Sequence, residues 1–312
     1  MRRRVAVIGA GNVGATLAQL IVQSGLSDVV LYDIVEGMPQ GKALDIMEAS
    51  PLWDVSVTVR GTNELKDTAG SGVVVITAGA ARKPGMSRDD LLNINARVVR
   101  TVSEGIAEHS PESIVIVVTN PMDVMAQLCR VTTGFHHRRV MGMGGVLDAA
   151  RFRTFVAGEL GVSPQDVDAL VLGGHGDQMV PMPRYTTVRG VPVTDLLPAG
   201  KIETLIERTR NGGAEIVSLL KTGSAYYAPA ASAFQMVRAV LLDEKRLLPA
   251  AVHLCGEYGV DGLYVGVPVV VGSRGVERII ELDLKEDERR YFEASVRAVE
   301  GLTERLGLTA SS

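Results

Sequence analysis

The chain of 312 residues holds only two cysteines, Cys129 and Cys255, far apart and outside any CxxC pattern. That excludes a disulfide framework and points to free, mostly packed thiols in a reducing compartment. No HExxH sequence is present, and His136-His137 are adjacent, a poor chelating arrangement on a strand or helix. These two are read as loop residues, His109 and His253 as equally ordinary, and no metal is expected. No apolar run approaches the ~18 residues of a membrane-spanning helix. Arg2-Arg3-Arg4 precede only the short run Val5–Ile8, too little for a signal peptide, so a cytoplasmic protein without membrane partner is expected. Positive charge is not in excess: 32 Lys+Arg stand against 36 Asp+Glu, a net charge of −4, which argues against a nucleic-acid surface. Internal repeats and low-complexity tracts are absent. What remains, at 46% hydrophobic and 22% charged residues, is an ordinary soluble globular composition, long enough for two domains.

The first half alternates strand and helix. Val5–Ile8 has the uninterrupted apolar character of a strand buried on both faces. Gly9-Ala10-Gly11-Asn12-Val13-Gly14 follows, then a helical pattern with Leu17, Leu20 and Ile21. Strand, GxGxxG and helix in that order suit a dinucleotide: Gly9 for the tight turn, Gly11 for close approach of backbone to pyrophosphate, Gly14 for helix–strand packing. A second strand, Val29–Tyr32, ends at Asp33, 19 residues after Gly14. A carboxylate there suits the ribose hydroxyls of NAD and repels the extra phosphate of NADP, although a strand-end turn residue would look the same. Further elements are expected as a helix over 37–49, strands over 55–59, 72–77 and 113–119, and a helix over 91–107. The pattern predicts an α/β fold: an N-terminal doubly wound parallel (Rossmann) sheet over residues 1–144, then a C-terminal α+β substrate domain over 145–312. Ligands of such a sheet lie beyond the C-terminal strand ends, where Asn120 is found.

Three other stretches carry chemistry. Ala81–Arg88 combines Arg82, Lys83 and Arg88 with a Pro-Gly turn beside the expected nicotinamide end; it reads as a lid with carboxylate-binding arginines or as a solvated basic loop. Asp148 and Arg151, three apart on a helix, share one face, as a surface ion pair also would. Gly173-Gly174-His175-Gly176-Asp177 sets an imidazole between glycines, open to close approach by a second molecule and able to exchange a proton near neutrality. Later residues look structural: a hairpin around Arg189-Gly190, a helix over 202–220 interrupted at Asn211-Gly212-Gly213 by a kink or a close approach to substrate, an apolar helix over 230–242, a hairpin over 263–271, an amphipathic helix over 286–306 and a frayed end at 309–312. Ala225 is read either as pocket lining or as simple packing.

Taken together, Gly9–Gly14 with Asp33, Ala78–Arg88, Val118-Thr119-Asn120-Pro121, Gly145–Arg153, Gly173–Pro181 and Tyr226–Pro229 resemble the malate dehydrogenases of the lactate dehydrogenase-like branch of the lactate/malate dehydrogenase superfamily, almost end to end. Gly266–Pro268 and Gly275–Arg278 extend the likeness. The resemblance implies that His175 is the proton donor and acceptor, with Asp148 its carboxylate partner. It assigns Arg151 to one substrate carboxylate, Arg88 to the reacting carbonyl, Asn120 to an amide near substrate and nicotinamide, and Arg82 to the second carboxylate of a dicarboxylate. Cofactor contacts are expected at Gly9, Gly11, Asn12, Val13, Gly14, Asp33, Thr77, Ala78, Gly79, Asn95, Val118 and Asn120. The chain departs from the family pattern at Ala81, Ala149 and Gln178, none of which removes a charge. The expected activity is NAD-dependent oxidation of malate to oxaloacetate by a homodimer or homotetramer. A lactate or other 2-hydroxyacid dehydrogenase, and a catalytically silent NAD-binding protein, are the alternatives.

Overall fold

The computed structural model describes residues 4–80 and 88–308, with Arg88 placed by its backbone alone. Strands β1 (Val5–Ile8), β2 (Val29–Tyr32), β3 (Val59–Thr62), β4 (Val73–Ile76), β5 (Ile114–Val117) and β6 (Val140–Gly142) are linked by helices α1 (Asn12–Gln23), α2 (Met38–Ala49), α3 (Arg88–His109) and α4 (Met122–Thr133). They pair in parallel in the order β3-β2-β1-β4-β5-β6, with the direction of winding reversing between β1 and β4. The apolar runs are explained by two-sided burial. Val5, Val7, Val73 and Val75 face one hydrophobic layer, and Ala6, Ile8, Val74 and Ile76 the other, against α3 and α4.

The rest of the chain forms α5 (Gly145–Leu160), β7 (Val167–Asp168), β8 (Val171–Leu172), β9 (Val180–Pro181), β10 (Thr187–Val188), β11 (Val191–Pro192), α6 (Val193–Leu196), α7 (Ala199–Leu220), α8 (Tyr227–Leu241), β12 (Arg246–Cys255), β13 (Asp261–Gly272), β14 (Gly275–Ile279) and α9 (Glu286–Arg305). β12, β13 and β14 form an antiparallel meander whose first strand meets β6, Ala251 opposite Gly142, so that one nine-stranded sheet runs through both halves of the chain. The short β8–β9 ribbon is fastened to this sheet by reciprocal backbone bonds between Gly173 and Gly266, at 2.9 and 3.1 Å.

Several expectations are corrected. The strand expected over 55–59 is β3 at 59–62. β2 has only four residues, and its register pairs Val29 with Val59 and Tyr32 with Thr62; Thr58 adds a carbonyl that accepts from Val29 N–H at 2.8 Å, while Val55 and Val57 pack against the hydrophobic layer. The helix expected over 91–107 extends to 88–109. The 263–271 segment is not a hairpin but the interior of β13, which pairs on both sides. His253 is in β12 and His137 in a 3-10 turn, not in loops. Helix α7 runs unbroken through Asn211-Gly212-Gly213. A β-carbon on Gly212 would lie 3.2 Å from Arg151 Cδ, and one on Gly213 3.5 Å from Arg151 Nη2. Those glycines cost helix propensity of about 1 kcal/mol each and leave room for a guanidinium. The Arg189-Gly190 hairpin is present. The cationic loop through Ser87 and the 309–312 tail lie outside the described residues.

A β-carbon at Gly266 would stand 2.5 Å from the Gly173 carbonyl oxygen, closer than any relaxed contact. Gly266→Ala is therefore expected to lower stability by about 1–3 kcal/mol through forced backbone displacement. Urea unfolding monitored by circular dichroism measures it; an unchanged midpoint would contradict this packing.

Candidate active site

The C-terminal ends of β1, β2, β4 and β5 open on one edge of the sheet. At β1 the turn is tight: Gly9 has φ +107°, and a β-carbon on it would lie 2.6 Å from Ala78 N. A β-carbon on Gly14 would be only 1.8 Å from the Gly9 carbonyl oxygen. At Gly11 nothing lies within 4 Å of the corresponding position. Helix α1 starts there without a side-chain cap and without an acidic residue in its first turn. Gly11, Asn12, Val13 and Gly14 at this helix start line an open cleft, an arrangement suited to a phosphate anion. Asp33, just past β2, is fixed by two backbone donors, Ala10 N–H to Oδ2 at 2.7 Å and Val35 N–H to Oδ1 at 3.0 Å. The remaining acceptor capacity of a carboxylate held this way suits ribose hydroxyls. Glycine turn, uncapped helix end and fixed carboxylate together fit a dinucleotide.

Further along the edge, three successive backbone N–H groups hold the histidine loop to three different elements. Gly173 donates to Gly266 on β13, Gly174 to Ser295 Oγ on α9 at 2.8 Å, and His175 to Asp123 Oδ2 on α4 at 2.8 Å. Helix α5 then brings its first turn alongside. Asp148, 1% exposed, places Oδ2 2.9 Å from His175 Nδ1, while Arg151 Nη1 stands 3.5 Å from the other oxygen. With Nδ1 facing a carboxylate, the pairing assigns the ring proton to Nδ1 and leaves Nε2 as the exchanging atom.

Burial alone would push the His175 imidazole below its ordinary range. The charge of Asp148 and its hydrogen bond, with a smaller contribution from Asp123, outweigh burial and the opposing Arg151, so the net direction is upward from 6.5. Asp123 is pushed up to about 6, first by burial and against the hydrogen bond from His175 N–H. The Arg151 guanidinium is lowered by burial, partly opposed by Asp148. Its Nε has no hydrogen-bond partner although buried. An uncompensated donor on a buried cation is costly unless an anion arrives to meet it.

His175 and Arg151 line a cleft of about 590 Å³ together with Gly11, Asn12, Val13, Gly14, Thr77, Gly79, Val118 and Asn120. Gly9 and Ala78 lie beneath this lining, pressed together. Asn95 is buried and already bracketed: its Oδ1 accepts from Ala80 N–H at 2.7 Å and its Nδ2 donates to the Asn120 carbonyl at 2.7 Å. Asn120 precedes a cis peptide bond to Pro121. Ala225 lines the cleft, in keeping with the pocket alternative. Arg82 lies outside the described residues, and Arg88 is placed only as the first residue of α3. Sequence reasoning missed Asp123, Ser295 and Arg210. Arg210 lines the cleft and donates from Nε to the Met179 carbonyl at 3.3 Å. Asp123, two residues after the Asn120-Pro121 turn, was within reach of a reading that asked why an acid opens an otherwise apolar helix. Among the described residues, no group of three His, Cys, Asp or Glu side chains at metal-ligand spacing lies in this cleft.

Comparison with known proteins agrees with this geometry. A family profile described as lactate/malate dehydrogenase, NAD binding domain, matches residues 3–142, and one described as lactate/malate dehydrogenase, alpha/beta C-terminal domain, matches residues 145–305. A malate dehydrogenase of Desulforudis audaxviator (strain MP104C) is 55% identical over 307 residues, 98% of this chain and 99% of that protein. The solved malate dehydrogenase from Salinibacter ruber superposes with a TM-score of 0.94 at 50% identity, covering 97% of each chain. The lactate dehydrogenase from Cryptosporidium parvum, solved with lactic acid and nicotinamide adenine dinucleotide, gives 0.95 at 42% identity over 99% of each chain.

Asp148→Asn removes the largest upward influence on His175. The imidazole pKa, followed by NMR of ring-labelled protein, is expected to move down from its wild-type value. The linked stability follows the same sign. A raised histidine pKa contributes stability that is fully present below 6.5 and lost as pH rises through the folded value. The variant should lose that low-pH contribution. An imidazole titrating as in wild type would refute the pairing.

Proposed function

Because the chain belongs to the lactate/malate dehydrogenase family, we propose that it interconverts (S)-malate and oxaloacetate with NAD, the His175–Asp148 pair at 2.9 Å carrying the proton. Gly9–Gly14 and Asp33 would hold NAD, which when bound would supply the acceptor for the hydride of the malate hydroxyl carbon. His175 Nε2 takes the hydroxyl proton as the carbonyl forms, and Asp148 stabilises the resulting imidazolium and holds the ring in orientation. In the reverse direction the imidazolium returns that proton to the carbonyl oxygen.

Arg151 is assigned the substrate's C1 carboxylate, which supplies the partner its buried Nε lacks. Arg88 is assigned to the carbonyl oxygen, where a cation offsets developing negative charge, and Asn120 to an amide contact beside it. Arg82 takes the second carboxylate; this assignment rests on its place in the Ala81–Arg88 segment. Two arginines on opposite ends of oxaloacetate fix which face of the carbonyl is presented. The cofactor is held along Gly9–Gly14 with Asp33 on the ribose, and Thr77, Ala78, Gly79, Asn95, Val118 and Asn120 form or support the remainder of its bed. The binding half is taken as residues 1–144 and the substrate half as 145–312.

Malate–oxaloacetate interconversion with NAD is a step of the tricarboxylic acid cycle, the role proposed for this protein, with the cytoplasm as its proposed compartment. No helix among the described residues is long and apolar enough to cross a membrane. A homodimer or homotetramer is proposed from the family membership. Light scattering on the purified protein measures the assembly.

NADH oxidation with oxaloacetate and with pyruvate tests the substrate, and oxaloacetate should be preferred by orders of magnitude. Arg82→Gln should erode that preference far more than it weakens NADH binding. His175→Asn should reduce turnover by roughly 10³-fold or more while NADH still binds. Preference for pyruvate by the wild-type protein would replace malate with lactate as substrate, and undiminished turnover in His175→Asn would remove the histidine from the mechanism.

A further inference from the structure

On the opposite edge of the sheet, three side chains that are remote in sequence come together. β6 runs antiparallel to β12 with Gly142 opposite Ala251. Walking back from Gly142 into the turn before β6 therefore leads towards the end of β12. His137, in that turn, arrives beside His253 and Cys255, which are two residues apart at the end of the strand, where a bulge shifts the register against β13. Donor atoms of the three all lie within 4.8 Å of one another, and His253 Nδ1 is 3.4 Å from Cys255 Sγ. The two imidazoles are stacked, with ring centroids 5.7 Å apart and planes 29° apart. His253 is 8% exposed and packs edge-on against Tyr264, so its ring is held, whereas Cys255 is exposed.

We propose that His137, His253 and Cys255 form a three-ligand site for a single Zn²⁺ ion, with water in the fourth position, at the sheet edge opposite the active-site cleft. Two imidazoles and a thiolate suit a borderline-soft divalent ion, and three protein ligands leave one tetrahedral position open on the solvent side. Burial, followed by the positive charges around them, pushes both imidazoles down, His253 to about 4, so their nitrogens carry free lone pairs at neutral pH. The Cys255 thiol is pushed up by burial and by Glu257 and Asp261, and stays protonated until a metal displaces its proton. Arg130 and Arg138 oppose a cation here; Glu257, Asp261 and the new thiolate offset them. The ion would tie the 137–139 turn to β12 and leave the cleft chemistry untouched.

The test uses the full chain stripped with chelator and titrated with Co²⁺ and then Zn²⁺. One Co²⁺ per chain should bind with a thiolate-to-cobalt charge-transfer band and strong four-coordinate visible absorption, both abolished by Zn²⁺. Binding should release protons to solvent, because a coordinating thiol is held as thiolate. Cys255→Ser and His137→Asn, both at accessible positions, should each lose affinity by more than the roughly 10–100-fold typical of outer-shell changes. They should leave malate oxidation at its wild-type rate, and His175→Asn should retain the cobalt spectrum. Absence of the charge-transfer band, or an affinity unchanged in Cys255→Ser and His137→Asn, overturns the proposal.

Discussion

Asp148, at 1% exposure, lies between the His175 imidazole, 2.9 Å from Oδ2, and the Arg151 guanidinium, 3.5 Å from Oδ1, and a buried carboxylate is costly without such partners. Most of the surrounding architecture serves that contact. The partners come from different elements, Asp148 and Arg151 from α5 and His175 from the β8–β9 loop. Their separation is set by how those elements are anchored to the sheet. Misplacing the loop by an ångström would leave the buried charge unpaired, so chemistry and stability depend on the same geometry.

The continuous sheet supplies the anchoring. Its parallel half opens the edge that carries Gly9–Gly14 and Asp33. Its antiparallel half carries Gly266, which fastens Gly173 two residues before the histidine. α4 and α9 complete the fixation through Asp123 and Ser295. Asp123 has a second effect: it lies close enough to raise the His175 pKa while its own is near 6, so the loop anchor also contributes to the electrostatics of the proton. Gly212 and Gly213 in α7 show the converse economy, a helix weakened locally so that Arg151 has room.

How much of this was legible in the sequence depended on whether the physical cause was local. β1, β4 and β5 were readable because burial on both faces leaves unbroken apolar runs, and the glycine fingerprint because its requirements fall within six residues. β3 was misplaced because an edge strand takes its limits from its partner, not from its own pattern. The glycines of α7 suggested a break because the side chain they accommodate is some sixty positions away. His175 announced itself through flanking glycines, but its relation to Asp148 and Arg151 came from family resemblance. Asp123 escaped notice because it binds a backbone N–H 52 residues on. His137, His253 and Cys255 looked unrelated for a similar reason: only the register of β6 on β12 brings them together.

The central claim is that a single proton on His175, held by Asp148, decides the direction in which the site can work. The pH dependence of kcat/KM measured in both directions on the same preparation tests it most directly. Oxaloacetate reduction should fall about tenfold per pH unit above a break that lies higher than 6.5, and malate oxidation should rise through the same break. Profiles that are flat between pH 6 and 9, or that bend the same way in both directions, would contradict it.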